Sequence, residues 1–320
     1  MGINRSILNF LATAREQGVS FTETVTVGRQ DLGLGPREVT RCLAAHGLLN
    51  DASARRDLLE QLAQNEWRAE PLFHRLGAAA VDSIDVSDYE GADILWDLNH
   101  PIPPELEARF TVLFDGGSLE HIFNAPVALM SYMRMVRPGG HLLLALPANN
   151  NCGHGMYQFS PELFFTALSR QNGFAVERMI MVEADTEAPT RIFGKRIAVE
   201  GKARRYDVAD PGKVGERVTL MNRLPVSLMV QAKRVSDEPI TTWASVQQSD
   251  YVLEWASAGN TAVSRTSLLS QIVSPTTRSI LRRRIAYDVI PRLSPLIDPM
   301  RRSRETRGRS FANRRYYRPV

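Results

Sequence analysis

Apolar and polar residues repeat with two different periods along the chain, and the switches between them mark out the elements. From Met1 to Gly18, Ile7, Leu8, Leu11 and Ala14 fall at helical spacing, which predicts an amphipathic helix covering a sheet or a ligand. Glu23 to Gly28 alternates and is β-branched, so a strand is expected to end at Gly28. Gly33, Gly35 and Pro36 follow as a loop, with Pro36 opening a helix to about His46. Asn50 to Leu76 reads as one polar helical segment anchored by Leu58, Leu59, Leu62, Trp67 and Phe73. Val81–Asp85 and Ala92–Trp96 are the second and third expected strands.

Phe110 to Phe114 is continuously apolar and ends at Asp115-Gly116-Gly117. A helix carrying Val127, Met130, Met133 and Met135 comes next, and Arg137-Pro138-Gly139-Gly140 is expected to stop it. His141 to Leu146 is a second apolar strand, closed by Pro147. Strand, crossover helix and strand make a βαβ unit, and apolar runs without alternation predict a parallel sheet covered on both faces. Ser160-Pro161-Glu162 starts another helix, which ends at Asn172-Gly173 before a sixth strand from Phe174 to Glu183. Ala184 to Asn222 reads as an insertion, a hairpin or a substrate-side flap, and Pro225 to Val235 alternates as a seventh strand. Beyond Asp237-Glu238-Pro239 the sheet pattern stops.

Composition changes this picture mainly at the C-terminus. The chain has 320 residues, enough for one large domain with extensions, and an ordinary apolar fraction. No apolar run reaches the ~18 residues of a membrane span, and the start shows no secretory pattern. Cys42 and Cys152 are too few and too far apart for a disulfide framework, so a reducing, cytoplasmic setting is expected. From Arg278 onward there are thirteen arginines and three acids. The whole chain carries +4, so that segment is +10 and residues 1–277 are −6. An arginine-rich tail with Phe311, Tyr316 and Tyr317 is expected to be poorly ordered and to meet an anionic membrane surface or acidic partner rather than a specific nucleic-acid sequence.

Phe-Asp-Gly-Gly-Ser-Leu-Glu-His at Phe114–His121, then a helix, Arg-Pro-Gly-Gly and an apolar strand, resembles the second half of a class I S-adenosylmethionine-dependent methyltransferase. The resemblance covers roughly Thr22 to Val235. It implies an α/β fold: a doubly wound, mostly parallel seven-stranded Rossmann-like sheet with an antiparallel edge strand. The expected organisation is an N-terminal helix over 1–20, a methyltransferase-like domain over 21–235 and a helical and irregular extension over 236–320, basic from 278.

The resemblance also implies where S-adenosylmethionine would lie. Gly28 stands at the glycine turn, although the run Val25-Thr-Val-Gly-Arg-Gln-Asp lacks a G-x-G-x-G spacing and Arg29 and Gln30 are bulky. Asp85, followed by Val86, ends the second strand, where an acid accepts hydrogen bonds from ribose hydroxyls. Asp97 and Leu98 take the place of the adenine-facing pair. Asp115, Gly116, Gly117 and Glu120 take that of the amino-acid end. The Asn-rich loop Asn149–Tyr157 leaves a strand's carboxyl end and covers the acceptor side, making His154 and Tyr157, together with His121, the candidate catalytic residues. Some members hold a divalent metal with Glu-x-x-Glu-His; Gly117 occupies the first of those positions, so no metal is expected. The acceptor fits a saccharide or other small polar molecule, methylated on a hydroxyl or amine. Two other readings stay open: a nicotinamide-dependent oxidoreductase, and a methyltransferase-like module that has lost cofactor binding.

Overall fold

The computed structural model describes residues 2–186, 190–192, 195–197, 200–244, 246–261 and 309–320. In chain order the first elements are β1 (Gly2–Ile3), α1 (Arg5–Glu16), β2 (Glu23–Val27), β3 (Asp31–Leu32), α2 (Pro36–Ala45), α3 (Ala52–Gln64), α4 (Glu70–Leu76), β4 (Ala80–Asp85) and β5 (Ile94–Leu95). There follow β6 (Phe110–Asp115), α5 (Ala125–Met135), β7 (Val136–Pro147), α6 (Pro161–Ala167), β8 (Phe174–Thr186), β9 (Thr190–Ile192), β10 (Lys195–Ile197) and β11 (Glu200–Val208). The last are α7 (Pro211–Val214), β12 (Val226–Arg234), α8 (Ser249–Thr261) and β13 (Tyr317–Pro319).

Nine strands form one mixed sheet in the order β13-β11-β8-β12-β7-β6-β2-β4-β5. The stretch from β7 to β5 is parallel throughout. The chain first builds outward from β2 through β4 to β5, then returns to the other side of β2 for β6 and β7. That reversal between β2 and β6 is a topological switch point, where open α/β sheets bind ligands beyond the strands' carboxyl ends.

Four sequence expectations are corrected here. The antiparallel strand β12 is not at the edge: it pairs with both β7 and β8 along its length, and β11 extends the sheet beyond β8. A seven-strand count therefore falls short by the two strands β11 and β13. Arg137-Pro138-Gly139-Gly140 ends α5 but is itself part of β7, whose pairing with β6 shifts register between Phe110 and Val112. A side chain at Gly140 would stand 2.6 Å from the Thr111 carbonyl, so glycine lets the strand pass. The expected Asn50–Leu76 helix is two helices, broken where Glu66 and Trp67 take positive φ values of 50° and 65°. The insertion carries an antiparallel hairpin of β9 and β10.

Contacts divide the chain into two units, one of residues 1–208, 223–246 and 318–320 and one of residues 209–222 and 247–317. In the first unit, α1 to α4 bury Leu8, Leu11, Leu43, Leu58, Leu62 and Phe73 in one cluster with Phe114, Leu143 and Ile180 of the sheet. Each such side chain is worth about 1.5–3 kcal/mol of burial. Leu113 and Leu142, one residue out of phase, point to the opposite face, and α5 packs against β6 and β7. In the second unit α7 and α8 pack together, and Arg217 pairs with Asp250 at 2.5 Å. The arginine-rich stretch from 278 to 308 lies outside the described residues, whereas Phe311, Tyr316 and Tyr317, expected in a poorly ordered tail, are buried, and Tyr317–Pro319 forms β13 of the sheet. Among the described residues no helix is long and apolar enough to cross a membrane.

Candidate functional site

A cleft of about 1180 Å³ opens at the switch point, lined by the carboxyl ends of β2 and β4 and the loops beyond them. Its floor is Gly28, the residue after β2, with φ of +68°. A Cβ there would stand 3.4 Å from Ser118 Oγ and 3.7 Å from Asp85 Oδ2, so the glycine keeps a narrow space open among three strand ends. Asp85 is held in place because its Oδ1 accepts hydrogen bonds from the Val86 and Ser87 amides at 2.6 and 3.4 Å. Asp97 accepts from both the backbone and the side chain of Asn99, at 2.9 and 2.8 Å, and these bonds hold its carboxyl below the usual range.

Of the expected cofactor residues, Gly28, Arg29, Gln30, Asp85, Val86, Asp97, Leu98 and Gly117 line this cleft. The two bulky residues of the first turn are both tied down. Arg29 pairs with Glu70 at 2.6 Å and donates to the Glu90 carbonyl at 3.2 Å. The buried Gln30 donates to the carbonyls of Val27 and Gly28, at 2.8 and 3.2 Å. The loop after Gly28 does not run straight into a helix: β3 pairs with β1, which brings Gly2 and Asn4 to the cleft wall. The N-terminal segment thus covers the sheet and borders the cleft.

Three expected cofactor contacts are elsewhere. Asp115 is fully buried; its Oδ1 accepts from the Gly117 and Ser118 amides at 2.8 and 2.6 Å, and its Oδ2 from the Leu119 amide and the Tyr132 hydroxyl, both at 3.0 Å. Burial pushes its pKa up against these four bonds, which favour the charged form. Asp115 ties the turn and does not line the cleft. Gly116 faces the Gln30 side chain, whose Oε1 would be 2.3 Å from a Cβ there. Glu120 lies just outside the cleft, also fully buried.

Glu120 is instead the centre of a second cluster. Its Oε1 is 3.9 Å from His121 Nε2 and 3.7 Å from His154 Nε2, and the two imidazole rings are 5.7 Å apart. The loop carrying His154 is docked onto Glu120: the Met156 and Tyr157 amides donate to its carbonyl at 2.8 and 3.2 Å. Gly155 permits that approach, since a Cβ would stand 2.7 Å from Glu120 Cγ. Burial raises the Glu120 pKa to about 8, with nearby Asp115 adding to it, and burial lowers both histidines. His121 also lines the cleft, so the two features share a wall. The expected catalytic Tyr157 is a fastening: its hydroxyl donates to the Phe123 carbonyl at 2.6 Å.

Sequence reasoning missed the cleft's acids at Asp31, Glu66 and Glu90. Arg68, buried behind them, pairs with Asp31 at 3.1 Å and Glu90 at 3.4 Å. With Asp85 and Asp97, five carboxylates line the cleft, against Arg29, whose charge is already engaged by Glu70. Loops that follow strand carboxyl ends were the available signal for Asp31, after β2, and Glu90, after β4, whereas Glu66 lies in the turn between α3 and α4.

No family model matches the chain, and no curated protein matches it. Among solved structures, it is similar to an S-adenosylmethionine-dependent methyltransferase from Mesorhizobium loti, with 15% identity over 70% of this chain and 95% of that one, at a TM-score of 0.33. It is similar to the Burkholderia thailandensis 1,6-didemethyltoxoflavin-N1-methyltransferase with bound S-adenosylhomocysteine, with 12% identity over 72% and 78% of the two chains, at 0.33. It is similar also to a branched-chain polyamine synthase from Thermus thermophilus in complex with 5'-methylthioadenosine, with 13% identity over 75% and 58%, at 0.34. Likeness at this level adds no weight to the geometry.

Proposed function

We propose that the chain is an S-adenosylmethionine-dependent methyltransferase acting on a hydroxyl or amine of a small polar or saccharide-type acceptor. The observation that carries this reading is the charge of the cleft. A sheet switch point with a strand-end acid suits any nucleoside, but five carboxylates around it favour a cationic one. A dinucleotide would bring a pyrophosphate to the β2 turn. There the helix α2 begins only at Pro36, after β3, and the neighbouring arginines are engaged by Glu70, Asp31 and Glu90. The nicotinamide reading therefore lacks the phosphate cradle it requires.

The residues present fit the donor. Asp85, with Oδ2 turned toward Gly28, would accept the ribose hydroxyls, and Asp97 and Leu98 would border the base. The space that Gly28 leaves open admits the nucleoside against the strand ends. When bound, the donor supplies a methyl group on a positively charged sulfur, and displacement in line leaves that sulfur neutral. The protein's part is to align acceptor and methyl and to keep water away. His121 stands at the cleft wall on the acceptor side, and the loop pinned by Tyr157 carries His154 beside it.

Calorimetric titration with S-adenosylmethionine, with NADH as the control ligand, tests the reading. Micromolar binding of the first and none of the second is the expected result. Binding of NADH alone overturns it in favour of an oxidoreductase, and binding of neither overturns it in favour of a partner module.

A further inference from the structure

We propose that the exposed apolar face of α8 is a docking surface for an anionic lipid bilayer, drawn to it by the arginine-rich sequence that follows in the same unit. This goes beyond the methyl-transfer reading and does not depend on it.

A helix on a folded unit ordinarily buries its apolar side chains, and α8 leaves them in water. Tyr251, Val252, Leu253 and Trp255 are 43, 44, 42 and 58% exposed, although α7 packs beside the helix. The ~100° that each residue advances around an α-helix puts Tyr251, Trp255 and Val252 within an arc of about 100°. Asp250 and Glu254 fall outside that arc, and Asp250 is engaged by Arg217 at 2.5 Å. The face is also ordered within itself. The Tyr251 and Trp255 rings stack with centroids 6.0 Å apart, and the Arg217 guanidinium stands 5.2 Å from the Tyr251 centroid.

Charge decides which partner this face fits. From Arg278 to Val320 the chain carries thirteen arginines against three acids. Both flanks of this sequence are fastened to α7. On one side α8 packs against it, and on the other Arg315 donates to the carbonyl of Val214, the last residue of α7, at 3.1 Å. The positive charge therefore belongs to the unit that carries α8. Tyrosine and tryptophan settle at the headgroup boundary with their apolar bodies inward, and an arginine held on an aromatic ring keeps its charge among the phosphates. A nucleic acid could stack bases on Tyr251 and Trp255 but offers nothing to Val252 and Leu253. A second copy of a chain that is itself net positive is disfavoured by the same arginines.

The test is co-sedimentation of the full-length protein with two kinds of vesicle, phosphatidylcholine alone and phosphatidylcholine mixed equally with phosphatidylglycerol. The anionic vesicles should bind at least about tenfold more tightly, an advantage that shrinks between ~0.1 and ~0.5 M salt as the charges are screened. Anionic vesicles with brominated acyl chains should quench tryptophan emission, and Trp255→Phe should remove that quenching. The double variant Tyr251→Ser, Trp255→Ser changes exposed side chains, so it should keep the wild-type circular dichroism and bind about tenfold more weakly or worse. Tyr89→Ser, at a fully solvated tyrosine between β4 and β5, should bind like wild type. No binding to the anionic vesicles overturns the surface, as does equal binding by the double variant or bound protein without Trp255 quenching. Binding of single-stranded RNA in place of vesicles, lost in the double variant, also overturns it and assigns the face to nucleic acid. Self-association that the double variant abolishes, without vesicle binding, overturns it in favour of a second copy.

Discussion

Replacing Asp115 with asparagine separates a ligand contact from a structural tie. In the structure the carboxylate receives four hydrogen bonds, three from successive backbone amides and one from Tyr132, and it does not line the cleft. Asparagine keeps the shape but offers one acceptor oxygen. Placed with that oxygen toward Gly117 and Ser118, it turns its amide hydrogens toward the Leu119 N–H. Loss of charge weakens each retained bond from the ~1.5–3 kcal/mol range of a charged acceptor to ~0.5–1.5, and an unsatisfied buried donor costs ~1–3 kcal/mol. Removing a buried charge gives some of this back, since burial already acts against the ionised form. The net expectation is a loss of about 2–5 kcal/mol, or roughly 4–20 °C in Tm for a unit of this size. Thermal and urea unfolding followed by circular dichroism would measure it, with S-adenosylhomocysteine titration of the folded variant well below its Tm. The structural argument expects a large stability loss and a modest change in affinity. A variant that melts with wild type but no longer binds the nucleoside would refute it, and would restore Asp115 as a contact.

Three other outcomes follow from the site. Asp85→Ala should leave the unfolding free energy within about 1 kcal/mol of wild type and weaken S-adenosylhomocysteine by ~1.5–3 kcal/mol, or about 10–150-fold, in calorimetry; unchanged affinity would remove it from the site. Gly155→Ala puts a methyl 2.7 Å from Glu120 Cγ and 2.9 Å from its carbonyl, so the loop should lift and amide exchange at Met156 and Tyr157 should rise, which hydrogen-exchange measurements would detect. His141, buried in β7 beside Glu177 at 3.2 Å and paired across strands with Lys233, has its pKa lowered chiefly by burial. Its unfolded form takes a proton near pH 6.5 and its folded form only below that, so wild-type stability should fall as pH drops through about 6.5, more steeply than that of His141→Asn. Parallel pH profiles of Tm for the two proteins would count against this assignment.

How much could be read from the chain alone depended on whether local chemistry and tertiary packing agreed. The apolar runs at Phe110–Phe114 and His141–Leu146 became central strands, where a sheet covered on both faces buries every side chain of such a run. The third strand was expected over Ala92–Trp96, but pairing begins only at Ile94. There the Asp93 carboxylate takes the Ser83 amide and hydroxyl, both at 2.8 Å, in place of ladder bonds. Pro138-Gly139-Gly140 carries the residues of a stop, yet Pro138 stands exposed at the start of β7, where its missing N–H leaves no bond unmade. The break at Glu66–Trp67 has no glycine to announce it. It is held by tertiary bonds, among them the Trp67 indole donating to the Leu34 carbonyl at 2.8 Å.

The same distinction decides what was visible of the site. Asp85 and Gly28 were legible because a strand end followed by an acid or a glycine is a local signature whose geometry the sheet then enforces. Asp115 shares that signature but is fully buried, and its turn folds three amides back onto the carboxylate. What sets the two apart is the turn that follows, together with the Tyr132 hydroxyl, which reaches Asp115 from α5. The joining of His154 to Glu120 was less legible still. Both residues were singled out, but as members of separate ends of the site, because the sequence shows Gly155 only as a flexible residue in a loop rich in asparagine. In the fold Gly155 is a packing requirement: the missing Cβ lets the backbone of one loop lie on the backbone of another, and the histidine before it is thereby fixed. A glycine's role as a spacer between two segments can be seen only once both segments are in place, and here that spacer turns a buried acid and two histidines into one cluster.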